Sequence, residues 1–543
     1  MLTLPLDPTD DRATPAFKDA TGCAQWLGQL QLTNLHHAHG VLRAQLDEFN
    51  RYPMRGLERM HTLELLRETV SSIQADYARK LAAKKLPLNK DELTVFVSLI
   101  GMWQGMVTGY QRCLQAYMAG DAQLAPHSAL LCQRCLLYSG LQIFEHLRTG
   151  YEFDGKLWHK LHTLYAFSEE QGLQLEEVAD GLNCNTRPTS CRAAYAKLLL
   201  ACYAYRAELT RNQLQLLDHW LTQWSPTVTV ERSCTMSKGD ASPLAVDLSG
   251  LLGLQPLQQV SPSGNVANVR YLAMVPLSKL LRVKMVLLQQ GQSPRQLDLG
   301  ESCDSAECAW FLNYLHQYLC EGRSDRLAER SVAQKQAQMC YGIESCVAYI
   351  ANKPFKQPDK GASGDILSRK QIQAFGRVLP CTDRHDLSGR GFALETWQIE
   401  NESILGARLL REESVGIRLG PNQLVAVCPS NANAFMLGAV SWVKVAQTGQ
   451  LHAGVRYLPG LPQPVAIKAT GINLAVSDKS VAALLLPAVP ALRTPASLIA
   501  PRDWFKPGRV VEIVQTDKVK FNVKMELSVE KGSDFERISF SSV

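Results

Sequence analysis

A chain of 543 residues with 46% hydrophobic and 20% charged side chains is too long for one core and too apolar for disorder. Three or four domains of roughly 100 to 200 residues each are expected. The formal net charge of +6 is mild for this length and no dense Lys/Arg block occurs, which disfavours nucleic acid as a partner and leaves small anionic ligands open.

The opening stretch "MLTLPLDPTDDRATPAF" has no basic segment followed by an apolar one, so no signal peptide is expected. Fifteen scattered cysteines fit reduced thiols better than a disulfide framework, and the expected location is cytoplasmic. From about Gly22 to Trp224 the pattern is helical, giving a helical domain over 1–225. Within it "LTVFVSLIGMWQGMVTGY" carries Gln, Ser, Thr and glycines and reads as a buried helix, with no membrane insertion expected. In "LWHKLHTLYAFSEEQGL", Leu157, Leu161, Leu164 and Tyr165 share one face, as in an amphipathic helix packed on a neighbour. Metal ligands are weighed at three places and none is expected to hold a metal. Cys132 and Cys135 sit in an apolar helical stretch, Cys184 and Cys191 flank a polar loop, and His36 to His39 fit packed or surface histidines better than ligands.

At Ser225-Pro226 the character changes. "PTVTVERS" and "PLAVDLSG" read as strands, "LSKLLRVKMVLL" and "AECAWFLNYLHQYL" as helices, so 226–320 is a mixed α/β segment, with a degenerate barrel as the other reading. A charged stretch and apolar "AQMCYGIESCVAYI" follow, then the loop "NKPFKQPDKGASGD", expected to be mobile. From Phe392, "FALETWQIE", "GARLLR", "SVGIRL", "QLVAVC", "AFMLGAVSWVKV" and "LHAGVRYL" arrive as short strands of a small antiparallel barrel or sandwich, placed at 321–470 with an insertion. Over 471–543, "RVVEIVQ" and "VKFNVKMELSVE" are expected to pair and pack on that barrel, with Val519, Phe521, Val523, Met525, Leu527 and Val529 on one side.

Signatures of nucleophile elbows, phosphate loops, dinucleotide sites and zinc proteases are missing, so no catalytic residue, cofactor or enzymatic activity is expected. What remains is a polar interruption. In "WQIENESILGARL" the alternation of Trp397 and Ile399 with Gln398 and Glu400 breaks at Asn401, and Asn401, Ser403 and Gly406 fit [Asp/Asn]-x-Ser-x-x-Gly. Upstream, Arg326 and Arg330 fit Arg-x-x-x-Arg, and strand-like "GAVSWVKV" and "AGVRYL" follow. In this order the pieces resemble the PilZ domain, a small β-barrel family that binds the bacterial messenger cyclic di-GMP, here in a subgroup with a long N-terminal extension.

The resemblance implies a multidomain α+β protein with a helical N-terminal region, a mixed α/β middle and a C-terminal PilZ-like antiparallel barrel. It further implies a non-enzymatic receptor in which Arg326 and Arg330 clamp cyclic di-GMP against Asn401, Ser403 and Gly406. The signal would pass to a protein partner, through the helical region, in motility, surface-structure or biofilm control. The chemistry fits: two phosphates and guanine O6/N7 edges are complemented by guanidinium forks, and a short Asn and Ser at a strand end can bond a base edge. Two departures stand beside this. About seventy residues separate the arginines from Asn401, and "DLSGRG" at Asp386 to Gly391 fits the same pattern, which leaves Arg384 and Arg390 as rival donors. The alternatives are a ligand-free PilZ-like scaffold acting through the helical region, and a barrel that binds single-stranded nucleic acid.

Overall fold

The computed structural model describes residues 2–182, 188–205, 209–234, 243–260, 266–301, 303–322, 331–357, 387–413, 415–470, 479–515 and 519–543. They fall into two compact units, one of 1–84 with 88–325 and one of 85–87 with 326–543.

The first unit opens with helices α1 (Ala20–Gln29), α2 (Leu35–Arg51), α3 (Gly56–Ala78), α4 (Lys90–Met118), α5 (Ser128–Thr149), α6 (Lys156–Glu170), α7 (Cys191–Tyr205) and α8 (Arg211–Trp224). Local chemistry sets several boundaries. Asn89 and Glu92 form a reciprocal capping box that starts α4, Thr210 and Gln213 do the same for α8, and Gly150 ends α5 in the left-handed conformation. α4 is long and apolar enough to cross a membrane by length and composition, and its Leu99, Met102, Met106, Tyr110 and Leu114 are buried. Leu161, Leu164 and Tyr165 of α6 are buried on the face expected from their spacing.

One cluster of polar groups deep among these helices is mutually paired. Arg134 of α5 donates to both oxygens of Glu64 on α3 at 2.8 and 3.0 Å, the Tyr110 hydroxyl donates to the same carboxylate at 2.6 Å, and Arg67 bridges Glu64 at 3.1 Å and Asp180 at 2.5 Å. Burial raises the Glu64 pKa, but the Arg134 hydrogen bond, the two guanidinium charges and the tyrosine outweigh it and hold the carboxyl at about 2. Burial pushes the Cys132 thiol up to about 12 and Cys135 higher still, so the Cys-x-x-Cys pair behaves as core packing. His39 is 2% exposed against Tyr77 and bonds Gln74 at 2.8 Å. Among the described residues no three His, Cys, Asp or Glu side chains gather to hold a metal; Cys184 lies outside them.

The middle segment supplies strands β1 (Thr229–Glu231), β2 (Leu244–Asp247), β3 (Gln255–Pro256) and β4 (Val269–Ala273), then α9 (Val275–Gln289) and α10 (Ser305–Cys320). The strands form an antiparallel sheet in the order β1-β4-β2-β3, not a barrel. Leu244, Val246, Leu272, Leu281 and Phe311 join Leu199, Leu217 and Trp220 in one continuous core, so this segment and the helices before it share an interior.

The second unit contains two closed six-stranded barrels. The first is built from β5 (Ser331–Tyr341), β6 (Leu394–Ser403), β7 (Gly406–Arg411), β8 (Leu424–Pro429), β9 (Met436–Val445) and β10 (Leu451–Tyr457), in the order β10-β7-β6-β5-β8-β9, with α11 (Gly342–Ala351) after β5. Residues 415–419 of "SVGIRL" form no strand beyond an isolated bridge from Leu419 to Leu86. The loop at 352–365 lies outside the described residues from 358 onward. The strands after the first barrel close on themselves and do not simply cover it. β11 (Gln463–Ala469), β12 (Val481–Leu486), β13 (Ser497–Ala500), β14 (Val510–Gln515), β15 (Lys520–Lys531) and β16 (Glu536–Ser542) make the second barrel in the order β11-β12-β13-β16-β15-β14. β14 and β15 do pair, as expected. The single apolar face expected along β15 fails part-way, because a register shift between Met525 and Leu527 turns the strand over. Val523 and Met525 are buried, while Leu527 and Val529 are 67% and 55% exposed.

Candidate functional site

The polar interruption is part of a strand. β6 continues through Asn401 to Ser403, and a two-residue loop, Ile404-Leu405, turns it into β7 at Gly406. Trp397 and Ile399 point into the barrel at 1% and 0% exposure. A shift of pairing between Ile399 and Asn401 makes Glu400 the extra residue of a β-bulge, which places Asn401 opposite the partly exposed Arg408. Bulges of this kind re-aim side chains, and here the alternation breaks because the register does.

Pairing then carries one row across five strands: Val332 on β5, Asn401 on β6, Arg408 on β7, Gly454 on β10 and Trp442 on β9. Facing cross-strand partners share a side of the sheet, and Val332, 84% exposed, marks it as the outer one. The Trp442 indole lies on the bare backbone of Gly454, where an added Cβ would meet Nε1 at 2.2 Å. The Arg408 guanidinium and Lys444 ammonium lie 5.8 and 5.5 Å from its ring centroid. Glu400 meets Arg408 Nε at 2.5 Å and His452 Nδ1 at 3.3 Å, and Lys335 meets Glu402 at 2.5 Å. Arg456 is paired with Glu530 of the second barrel. Arg408, His452, Lys335 and Arg456 each face a carboxylate already.

Two acceptors near this row have no partner among the described residues, one on the outer face and one on the inward phase at the end of β10. Asn401 Oδ1 is buried without a hydrogen-bond partner, and so is the hydroxyl of Tyr457, whose backbone N–H donates to Leu405 in the hairpin loop at 2.8 Å. Burial pushes the Tyr457 phenol well up, and the Glu402 carboxylate adds to it. Ser403 is spent locally: its hydroxyl accepts from the Leu405 N–H at 3.3 Å and donates to the Gly406 carbonyl at 3.4 Å. Gly406 has a structural reason too, since a Cβ there would stand 2.3 Å from the Val455 carbonyl oxygen of β10.

The fold therefore brings Asn401, Ser403 and Gly406 together on one hairpin. Arg326, Arg330 and the rival Arg384 lie outside the described residues, and Arg390 is exposed in a short 3-10 turn. Arg330 is joined directly to Ser331, the first residue of β5, and Ser331 pairs with Glu402. Arg408, Trp442 and His452 belong to this neighbourhood and carry no motif of their own; register across strands distant in sequence brings them together.

Residues 21–233 match the family model described as the N-terminal domain of the cyclic-di-GMP receptor FimW, and residues 471–543 match the FimW C-terminal beta-barrel domain. Both ends of this chain are similar to FimW. A curated relative, the cyclic-di-GMP receptor FimW of Pseudomonas aeruginosa, is 22% identical over 555 residues, an alignment that takes in 93% of this chain and 88% of the relative. The two FimW matches fall on the helical part of the first unit and on the second barrel; the hairpin with Asn401 lies between them, within the span aligned to the relative.

Proposed function

We propose that this chain is a cyclic di-GMP receptor whose first barrel, residues 331–457, is a PilZ-like reader of the messenger, with Arg326, Arg330, Asn401, Ser403 and Gly406 as its ligand residues. The observation that carries the reading is the unspent Asn401 Oδ1, held at a bulge on the outer face beside the strand that begins one residue after Arg330. A guanine edge offers N–H donors to such an acceptor. Charge balance gives the arginines their task. Lys335, Arg408 and Arg456 are each matched by a carboxylate, so two ligand phosphates need further cations, and Arg326 with Arg330 supply them. The FimW similarity supports the same ligand. Ordering the arginine segment on the ligand would alter the surface offered to a protein partner, and the cellular process is that of a cytoplasmic, non-enzymatic effector of surface behaviour.

A second reading has its own support: Gly406 and Ser403 are both explained by the hairpin alone, as in a barrel retained as a scaffold. Isothermal titration separates the two. The receptor binds cyclic di-GMP and loses at least about tenfold in affinity in Arg330→Ala and in Asn401→Ala, whereas a scaffold gives no heat with the intact chain.

A further inference from the structure

The first unit holds a cleft of about 520 Å³ walled by α2, α4, α5 and α6 and by the extended segment Leu2–Asp7. That volume lies within the range of small-molecule sites, about 300–1,000 Å³. The lining is polar where a core would be apolar. Gln142 and Ser139 of α5 and Gln111 of α4 are 3%, 6% and 9% exposed, and their side chains have no hydrogen-bond partner among the described residues. Asn50 of α2, 4% exposed, donates to the Gly105 carbonyl at 2.8 Å and leaves its Oδ1 unpaired. Buried polar groups in a folded interior are nearly always satisfied, so Asn50 Oδ1 and Arg112 Nε, both buried on this wall without a partner among the described residues, mark a surface open to an occupant.

The charges select the occupant's sign. Arg43, Arg112 and Lys160 line the cleft with no carboxylate in ion-pair contact among the described residues: Arg43 donates to Ser98 Oγ at 3.3 Å, Arg112 donates to the Asp7 carbonyl at 2.9 Å, and Lys160 is exposed at the rim. Arg51, also lining, is matched by Asp10 and Glu48. Against them stand Asp7 and Asp47, and burial raises the Asp47 pKa, which disfavours its charge. Val107, Leu157 and Leu164 supply an apolar wall.

We propose that this cleft binds a small organic anion of the nucleoside monophosphate class, its phosphate toward Arg112, Arg43 and Lys160 and its base edge on the amides of Gln142, Gln111 and Asn50. Primary amides read base edges through paired donors and acceptors, and the apolar wall suits the flat face of a base. The site belongs to the helical unit and does not depend on the cyclic di-GMP reading of the barrel.

Titration of the full-length protein with guanosine monophosphate, adenosine monophosphate, the unphosphorylated nucleosides and inorganic phosphate tests the proposal. A monophosphate should bind, the nucleoside and inorganic phosphate should each bind about tenfold or more weakly, and Gln142→Leu should cost about tenfold while leaving the melting temperature unchanged or higher, because the amide lines the cleft and holds no other element in place. Lys160→Ala, at an exposed position that does not threaten folding, should weaken binding a few-fold at low salt and less at high salt. The proposal is overturned if no monophosphate binds, if inorganic phosphate binds as tightly as the nucleotides, or if binding survives Gln142→Leu and Lys160→Ala but is lost in Asn401→Ala, which would put the nucleotide on the barrel.

Discussion

Gly406 and Asn401 separate two roles that one short motif combines. An alanine at 406 would press its Cβ against the Val455 carbonyl, and β7 cannot yield without breaking its pairs with β10, so Gly406→Ala should cost about 1 to 3 kcal/mol in chemical denaturation. A Gly406→Ala variant that is fully stable but deaf to cyclic di-GMP would instead mark the glycine as a ligand contact. Asn401→Leu should do the opposite: removing an unpaired buried acceptor should leave stability equal or better while the ligand affinity falls. The motif residues could be picked out from the sequence because Asn, Ser and Gly break a clean alternation. Arg408, Trp442 and His452 could not, because their importance comes from register across strands distant in sequence.

At the level of elements, the tie between α3, α4 and α5 makes acid stability a test of structure. The folded Glu64 carboxyl, at about 2, lies below its unfolded value near 4.5. The folded state therefore gains from the charged form above about pH 4.5 and loses that gain as pH falls toward 2, a contribution on the order of 3 kcal/mol. Glu64→Gln should flatten this acid limb in thermal melts followed by circular dichroism; an unchanged pH profile would refute the assignment. Helices such as α6 were legible from the sequence because four apolar positions share a face. β5 was not. Its first half, "SVAQKQ", alternates small and polar residues at the barrel's end, and only the later Ala337, Met339 and Cys340 are fully buried. Nor was the reversal along β15, since a bulge leaves no mark in an alternating sequence.

For the molecule as a whole, the second unit couples its two barrels through a common interior. Phe535, Leu484, Leu486 and Ile499 of the second barrel pack in one cluster with Ile343 of α11 and Leu424 and Leu437 of the first. Phe535→Ala should therefore cost about 3 to 5 kcal/mol and raise hydrogen exchange in β8 and β9 as well as in β12 and β13; a rise confined to the second barrel would show the two to be energetically separate. Closure of the second barrel was beyond sequence reading, because short apolar strands look alike whether they roof a neighbour or meet their own first member. The antiparallel pairing of β5 with β6 has one more effect. Ser331 meets Glu402 at one end, and Cys340 meets Leu394 at the other, about 26 Å along the ladder. The connection from α11 to β6, residues 352–393, thus joins the rim away from Asn401, so that insert can lengthen, shrink or acquire new duties over evolutionary time while the distance from the start of β5 to the hairpin stays constant.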